Sequence, residues 1–221
     1  MAFNIEEFKS KGLTLGGARS SLFVCEIVFP SGANIQSGVN SKFTFSCRAA
    51  ELPAMTIGTV EVPYFGRRIK IAGDRTFADW TATVMNDEDW AVRSAFEAWQ
   101  NGINQMVGNV RTTQFVNELP TAQGAVGPTP GQNLTGGSYK QTVSITQFGK
   151  GGNEIAKYQL IGAYPTDLGA ITLDWDNQNQ IETFPVTIAY DYWLPVSVIS
   201  GGVNPNPSGS VLATDYSSQL E

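Results

Sequence analysis

The sequence predicts an all-β, sandwich-like or barrel-like architecture of about eight strands, interrupted by one α-helix. Three observations lead there. Period-two alternation of apolar and polar residues dominates the chain. The 23 Gly and 11 Pro cut that alternation into short runs bounded by turns. A single stretch, 90–103, carries a period near 3.6 instead. At 221 residues the chain suits one well-packed domain, and with 42% apolar against 15% charged residues it is poor in surface charge. Such a surface suits burial against other subunits.

The elements follow in order. In LFVCEIVF, Phe23, Cys25, Ile27 and Phe29 share one strand face. Phe43, Phe45 and Cys47 repeat the pattern, and the turn-rich PSGANIQSGVN between the two runs predicts a hairpin. TVEVPYFGRRIKIA is β-branched and aromatic, interrupted by Pro63 and Gly66. FADWTATVM sets Phe77, Asp79, Thr81 and Thr83 opposite Ala78, Trp80, Ala82 and Val84. The helix then places Trp90, Phe96, Trp99 and Ile103 on its core face, with both tryptophans inward. Asn86 or Asp87 is the expected cap, the acids Asp87, Glu88 and Asp89 suit the positive end of the dipole, and Gly102 is the expected stop. KQTVSITQF, IAKYQLIGAYP, AITLDWD and TFPVTIAYDYWLPV read as the remaining strands, with GKGGNE a hairpin turn.

Composition excludes several functions. With 14 basic against 20 acidic residues, a net charge of −6 and a pI near 4.7, the chain is not built to grip nucleic-acid phosphates. No run approaches the roughly 20 apolar residues of a membrane span. MAFNIEEFKSKGLTLGG lacks the basic start and apolar run of a signal peptide, so a cytoplasmic origin is expected. Cys25 and Cys47 fit inert buried thiols in a reducing compartment, although neighbouring strands could bring them close. Histidine is absent, which removes the commonest general base and the commonest nitrogen ligand of zinc. GGARSS and GKGGNE lack the spacing of a phosphate-binding loop. No catalytic residue, cofactor or metal is expected, and the chain is read as a non-enzyme.

One stretch argues the other way. IAGDRTFADWTATVMNDED crowds acids, arginine and tryptophan together. Asp74 and Arg75 follow Gly73 at an expected strand end, where Asp74 bonds turn backbone and Arg75 pairs with a carboxylate such as Asp79. The chemical alternative is a glycosidase with Asp74 and Asp79 facing one cleft, or a carbohydrate-binding β domain in which tryptophans stack on sugars. Against it, Trp90 and Trp99 belong to the helix's core face, and Trp80, Trp175 and Trp193 lie in strand-rich segments where packing is the commoner use.

The blocks CRAAELPAMTIGTVEVPYFGRRIKIAGDRTFADWTATVMNDED, RSAFEAWQ and IGAYPTDLGAITLDWDNQNQIETFPVTIAYDYW resemble the tail tube proteins of contractile-tailed bacteriophages, the T-even-like group in particular. The most telling are AGDRTF.DWT.TVMND and the YPT..G...LDWD run that ends in DYW, and the likeness covers 20–111 and 138–194. It implies two packed antiparallel sheets with a flanking helix. Six copies close into a ring whose inner sheets join edge to edge around a channel, and rings stack into a tube inside a contractile sheath. The implied partners are the chain itself, the tail sheath protein, and baseplate and tail-terminator proteins. DNA passes through the lumen without specific binding, and the tail, a virion part, assembles in the host cytoplasm. A baseplate tube-initiator and a secretion-system tube protein share the implied fold.

On this reading the polar positions Thr44, Ser46, Gln141, Ser144, Thr146, Gln147 and Gln159 are candidates for lining the channel. A one-residue slip exchanges the two faces of a strand. Arg67, Arg68 and Lys70, flanked by Glu61 and Asp74, are a weak nucleic-acid signal in an acidic chain. A long loop near them reaches the adjacent ring in the family, which makes Arg67 and Arg68 inter-subunit ion-pair donors, with Lys70, Asp74, Arg75 and Asp79 completing the interface set. The tail tube domain is expected over 1–194. Residues 112–138, rich in Gly, Pro and Thr, form a surface insertion, and 195–221 a C-terminal extension for which a typical relative has no counterpart.

Overall fold

In a computed structural model, the structure describes residues 4–13, 17–31, 33, 35–109, 115, 138–176 and 180–198. Most of the 112–138 insertion and all of 199–221 lie outside the described residues.

Among the described residues there are nine strands and three helices: α1 (Ile5–Gly12), β1 (Phe23–Ile27), α2 (Val39–Ser46), β2 (Cys47–Ala50), β3 (Met55–Tyr64), β4 (Arg67–Phe77), β5 (Trp80–Met85), α3 (Ala91–Ile103), β6 (Gln141–Phe148), β7 (Glu154–Leu168), β8 (Thr183–Ala189) and β9 (Tyr192–Val198). Every strand pairing is antiparallel. β7 belongs to two sheets. Its first part lies between β6 and β9, giving the order β1-β6-β7-β9. Its end, Tyr164–Leu168, pairs with β8, giving β7-β8-β5-β2. The change of sheet occurs beside Gly162, which holds φ +71°. Among the described residues β3 and β4 pair only with each other, as a separate two-stranded arm.

The core fills the space enclosed by the two sheets, α2 and α3. Cys25, Ile27, Val143, Ile145 and Leu160 come from one sheet, and Trp80, Val84, Phe184, Val186 and Ile188 from the other, all buried. Phe43 of α2 and Phe96 and Trp99 of α3 meet Phe29 in an aromatic cluster, with Phe29–Phe96 ring centroids 5.0 Å apart and edge-on. Two indole N–H groups are satisfied by backbone carbonyls: Trp80 donates to Glu51 at 2.6 Å and Trp99 to Tyr139 at 2.9 Å.

Several elements differ from the sequence expectation. Residues 39–46 form helix α2, so the hairpin expected between 23–29 and 43–47 does not exist, and β1 pairs with β6 instead. Val39 and Phe43, four apart, are buried on one helical face, while Phe45 is 82% exposed. Trp90 is the N-cap of α3 with φ +54°, and this left-handed backbone turns it off the core face, leaving it 43% exposed. Of the four expected core-helix residues, Phe96 and Trp99 are fully buried and Ile103 packs partly buried against them. Asp89 serves the helix start, its Oδ1 accepting from Ala91 N at 3.1 Å, and Gly102 lies within the helix, which ends at Ile103. AITLDWD is not a strand, and TFPVTIAYDYWLPV is two, β8 and β9, broken at Tyr190 and Asp191. β9 itself runs through residue 194 to Val198. GKGGNE is the β6–β7 turn, closed by Gly149 N donating to Asn153 O at 2.7 Å.

Candidate functional site

The sheet β1-β6-β7-β9 has one face in the core; its other face is the first candidate surface. Cross-strand register sorts its residues, because directly paired residues share a face. Val24 pairs with Thr146 and Thr146 with Lys157; Glu26 pairs with Ser144 and Ser144 with Gln159. Thr142 joins them by alternation. On β1, β6 and the adjoining part of β7 this face is polar apart from Val24 and carries one acid and one base; toward β9 it turns apolar, with Leu194 opposite Gln159 and Ile161 opposite Tyr192. The terminal strands β1 and β9 each pair with one neighbour only among the described residues. α2 packs against β1, where Phe29 N donates to Asn40 Oδ1 at 3.3 Å.

Three of the expected channel residues, Ser144, Thr146 and Gln159, come together on that face by register, with Ser144 and Gln159 partly exposed and Thr146 buried at 4% exposure. Gln147 does not: it shares parity with Ile145, pairs with Phe23 and donates to Arg19 O at 3.5 Å. Gln141 turns its amide to Ser138 O at 2.6 Å. Thr44 and Ser46 sit on α2, not on a strand, and Thr44 Oγ1 donates to Asn40 O at 3.1 Å. Glu26, Thr142 and Lys157 were missed, although Glu26 was legible as the position between Cys25 and Ile27.

The second candidate surface is the β3–β4 arm. Phe65 and Gly66 form a two-residue turn with φ +43° and +79°, the pairing of positive angles that closes a tight hairpin. At 3.3 Å per residue the ten residues of β3 span about 30 Å. Nearly every residue of the arm is exposed, and the tip residue Phe65 is 91% exposed. Val60, Val62, Tyr64, Ile69 and Ile71 add to this apolar surface, which a lone hairpin in water does not tolerate well. Gly73 lies inside β4 at a register shift, 3.2 Å from Gly58 O were a Cβ added, so Asp74 and Arg75 are mid-strand residues and not the strand end expected.

Arg68 Nη1 donates to Glu61 Oε2 at 3.0 Å within the arm. Arg75 pairs in register with Ile57, and Asp79 lies in the link to β5; among the described residues no ion pair joins Arg75 to Asp79. Arg67, Lys70 and Asp74 lie along the arm, so the expected interface set divides into five arm residues and one at its root. Asp79 lies outside the arm, where its charge adds to burial in raising the Tyr190 hydroxyl above its usual value.

At the far end of β5 stand two adjoining clefts. One, of about 360 Å³, is lined by Ile171, Leu173, Asp174, Trp175, Ile181 and Glu182 among others. The other, of about 410 Å³, is lined by Lys42, Phe45, Met85, Asp87 and Ile181 among others. Trp175 is 99% exposed, contrary to the packing role expected for it. The 169–176 segment is tethered by Arg93, which donates from Nη1 to Gly169 O at 2.7 Å, pairs with Glu97 at 3.0 Å and lies over the Phe184 ring. Lys42 pairs with both Asp87 and Asp89, and with the Ala91 N–H it holds the Asp89 carboxyl below its usual value. Among the described residues no group of His, Cys, Asp or Glu is placed to hold a metal ion, and no helix is long and apolar enough to cross a membrane.

The comparisons agree with one another. A family model described as phage tail tube protein matches residues 18–195. The tail tube protein gp19 of Enterobacteria phage T4 is 34% identical over 180 residues, covering 80% of this chain and 90% of its own, and gp19 of phage T6 matches to the same extent. Among solved structures, the sheath–tube complex of an extracellular contractile injection system contains a chain matching with a TM-score of 0.54 at 12% identity, over 89% of this chain and 100% of that one. A chain of the anti-feeding prophage baseplate gives 0.55 at 12% identity, over 83% and 98%. These two share the fold. The mainly β architecture, the sheet with its polar face, the projecting arm and the sequence match over most of both chains together place this chain in the phage tail tube protein family.

Proposed function

We propose that six copies of this chain close into a ring through the terminal strands β1 and β9, and that the polar face of β1-β6-β7-β9 becomes the wall of a DNA-conducting channel. The observation that carries this is the sheet itself: four antiparallel strands, one face in the core, the other polar over β1, β6 and the adjoining part of β7, and, among the described residues, no strand beyond either border. With three antiparallel pairings in succession, β1 and β9 run oppositely. A neighbour's β1 laid beside β9 therefore continues the same antiparallel ladder, and closure of the ring removes the borders.

The wall chemistry supports a conduit. Glu26 and Lys157 cancel within each copy, and Ser144 and Gln159 offer neutral polar groups. Phosphates passing such a wall meet no net cationic field to retain them. The arm carries ring to ring: Arg67 and Arg68 at its tip are the inter-subunit donors, and its apolar residues are buried by the adjacent ring. The tube runs inside a contractile sheath, between baseplate and terminator proteins, and delivers DNA into the host.

The test puts cations on the wall. Virions built with Ser144→Lys/Gln159→Lys subunits should carry tails of normal length but release DNA several-fold more slowly, with the delay reduced by added salt. Gln147→Lys, on the opposite face, should leave release unchanged. Equal delays from both variants, or none from the first, overturn the wall assignment.

A further inference from the structure

We infer that Cys25 and Cys47 form a thiol–disulfide latch across the seam where β1 and β2 meet, open as the structure stands and closed by a peroxide. The inference does not depend on the ring reading, because it concerns the fold of a single copy.

The topology places the seam. Followed from neighbour to neighbour, the strands run β1-β6-β7-β8-β5-β2, so β1 and β2 are the two ends of one path. These ends lie against each other, yet among the described residues no backbone ladder joins them. Register fixes the facing of both cysteines. Cys25 pairs with Ile145 and Cys47 with Val84; both partners are buried and paired residues share a face, so the two thiols point inward from opposite sheets. They meet there as free thiols. The Cys25 S–H donates to the Cys47 sulfur, and Cys47 donates in turn to Ala49 O at 3.8 Å.

Access to the two differs: Cys25 is fully buried, whereas Cys47 is partly exposed. A cleft of about 130 Å³ opens along the same seam, lined by Phe23, Ala50, Glu51, Leu52 and Ile145 among others. Phe23 stands two residues before Cys25 on its inward face, and Ile145 is the direct partner of Cys25, so the cleft adjoins the thiols. It exceeds the roughly 30 Å³ of a water molecule, which admits an oxidant as small as hydrogen peroxide. Cys47, the more exposed thiol, reacts first. Its sulfur attacks one peroxide oxygen, the O–O bond breaks, and the departing hydroxide takes up the Cys47 thiol proton as water, leaving a sulfenic acid. The Cys25 sulfur then attacks the Cys47 sulfur, the S–O bond breaks, and the hydroxyl leaves with the Cys25 proton as a second water. Two thiols are oxidised, one peroxide is reduced, and β1 is bonded to β2. The bridge closes the segment 25–47, which contains α2, and ties the two ends of the strand path that the backbone leaves apart. Closing that loop in the unfolded chain as well stabilises the folded one.

The experiment uses the purified full-length chain, treated with hydrogen peroxide, denatured in N-ethylmaleimide and digested without reduction. Mass spectrometry should find the peptides of Cys25 and Cys47 joined and free of maleimide, whereas in the untreated chain both carry it. The oxidised chain should melt about 6–12 °C above the reduced one, and dithiothreitol should return it to the lower Tm. Cys25→Ser should abolish both changes and leave Cys47 carrying added oxygen. The first two readings are made on the unaltered chain, so they stand whether or not that variant folds. Maleimide on both cysteines after peroxide, oxygen added to Cys47 of the unaltered chain without a bridge, or a bridge between copies on non-reducing gels overturns the latch. So does an internal disulfide that leaves the Tm where it was.

Discussion

Gly162→Ala tests the point where β7 passes from one sheet to the other. The backbone there holds φ +71°, which costs an L-residue about 1–2 kcal/mol. The added Cβ also overlaps the Asp191 carboxylate, lying 2.7 Å from its Cγ. Asp191 must then release Lys140, which it holds at 2.9 and 3.0 Å from a site where the Lys140 side chain is mostly buried. Loss of that pair adds about 1 kcal/mol. The sum, about 2–3 kcal/mol, corresponds to a fall of about 5–10 °C in Tm for a domain of this size. Gly152→Ala is the control: φ is +80° but nothing lies within 4 Å of the new Cβ, so only the backbone cost of about 1–2 kcal/mol applies. Urea unfolding of the two variants, and of each in an Asp191→Ala background, separates the contributions. Asp191→Ala should bring the cost of Gly162→Ala down to that of Gly152→Ala. Equal costs for the two glycines in the native background would refute the reasoning.

Other outcomes follow from the core and its borders. Phe96→Ala should cost about 3–5 kcal/mol in urea unfolding, since the ring is fully buried among Phe29, Phe43 and Trp99. Trp90→Gly should leave the Tm unchanged or raise it, because the substitution relieves a positive φ at an exposed cap, whereas Trp99→Ala lowers it sharply. Asp89 is held below its usual 3.8 chiefly by Lys42, so its contribution is present above that pH and lost as pH falls through the lower folded value; Lys42→Ala should flatten this acid limb in pH-dependent unfolding. Lys42 itself is raised above its usual 10.5 by the same carboxylates, so the pair persists until pH climbs past that value. In the folded protein, iodoacetamide should modify Cys47 before Cys25, because the hydrogen bond to Cys47 and then burial push the Cys25 thiol up while the same bond holds Cys47 down.

Alternation made most of the sheet legible. Cys25 and Ile27, Trp80 to Val84 and Val143 to Ile145 all face inward as their period-two pattern requires. It misled where the run was short. Phe43, Phe45 and Cys47 alternate like a strand, yet Val39 and Phe43 also stand four apart, and eight residues cannot decide between the periods; the aromatic cluster with Phe29 and Phe96 settles it as a helix. Ile171, Leu173 and Trp175 alternate too, but only Ile171 packs against the core while Leu173 and Trp175 are exposed, and no local pattern separates an apolar residue packed inside from one left at the surface. The candidate wall was half legible for a different reason. Polarity picked out Ser144, Thr146 and Gln159, but parity relative to the core, which removes Gln147, depends on register with β1 and β7. The basic arm was visible as residues, whereas the acids Asp87, Asp174 and Glu182 beside the two clefts come from separated segments that only the fold gathers.

A hairpin about 30 Å long that leaves its apolar side chains in water gives the lone chain a standing tendency to associate. Solutes excluded from protein surfaces, such as sulfate, strengthen that tendency, and dilute urea weakens it.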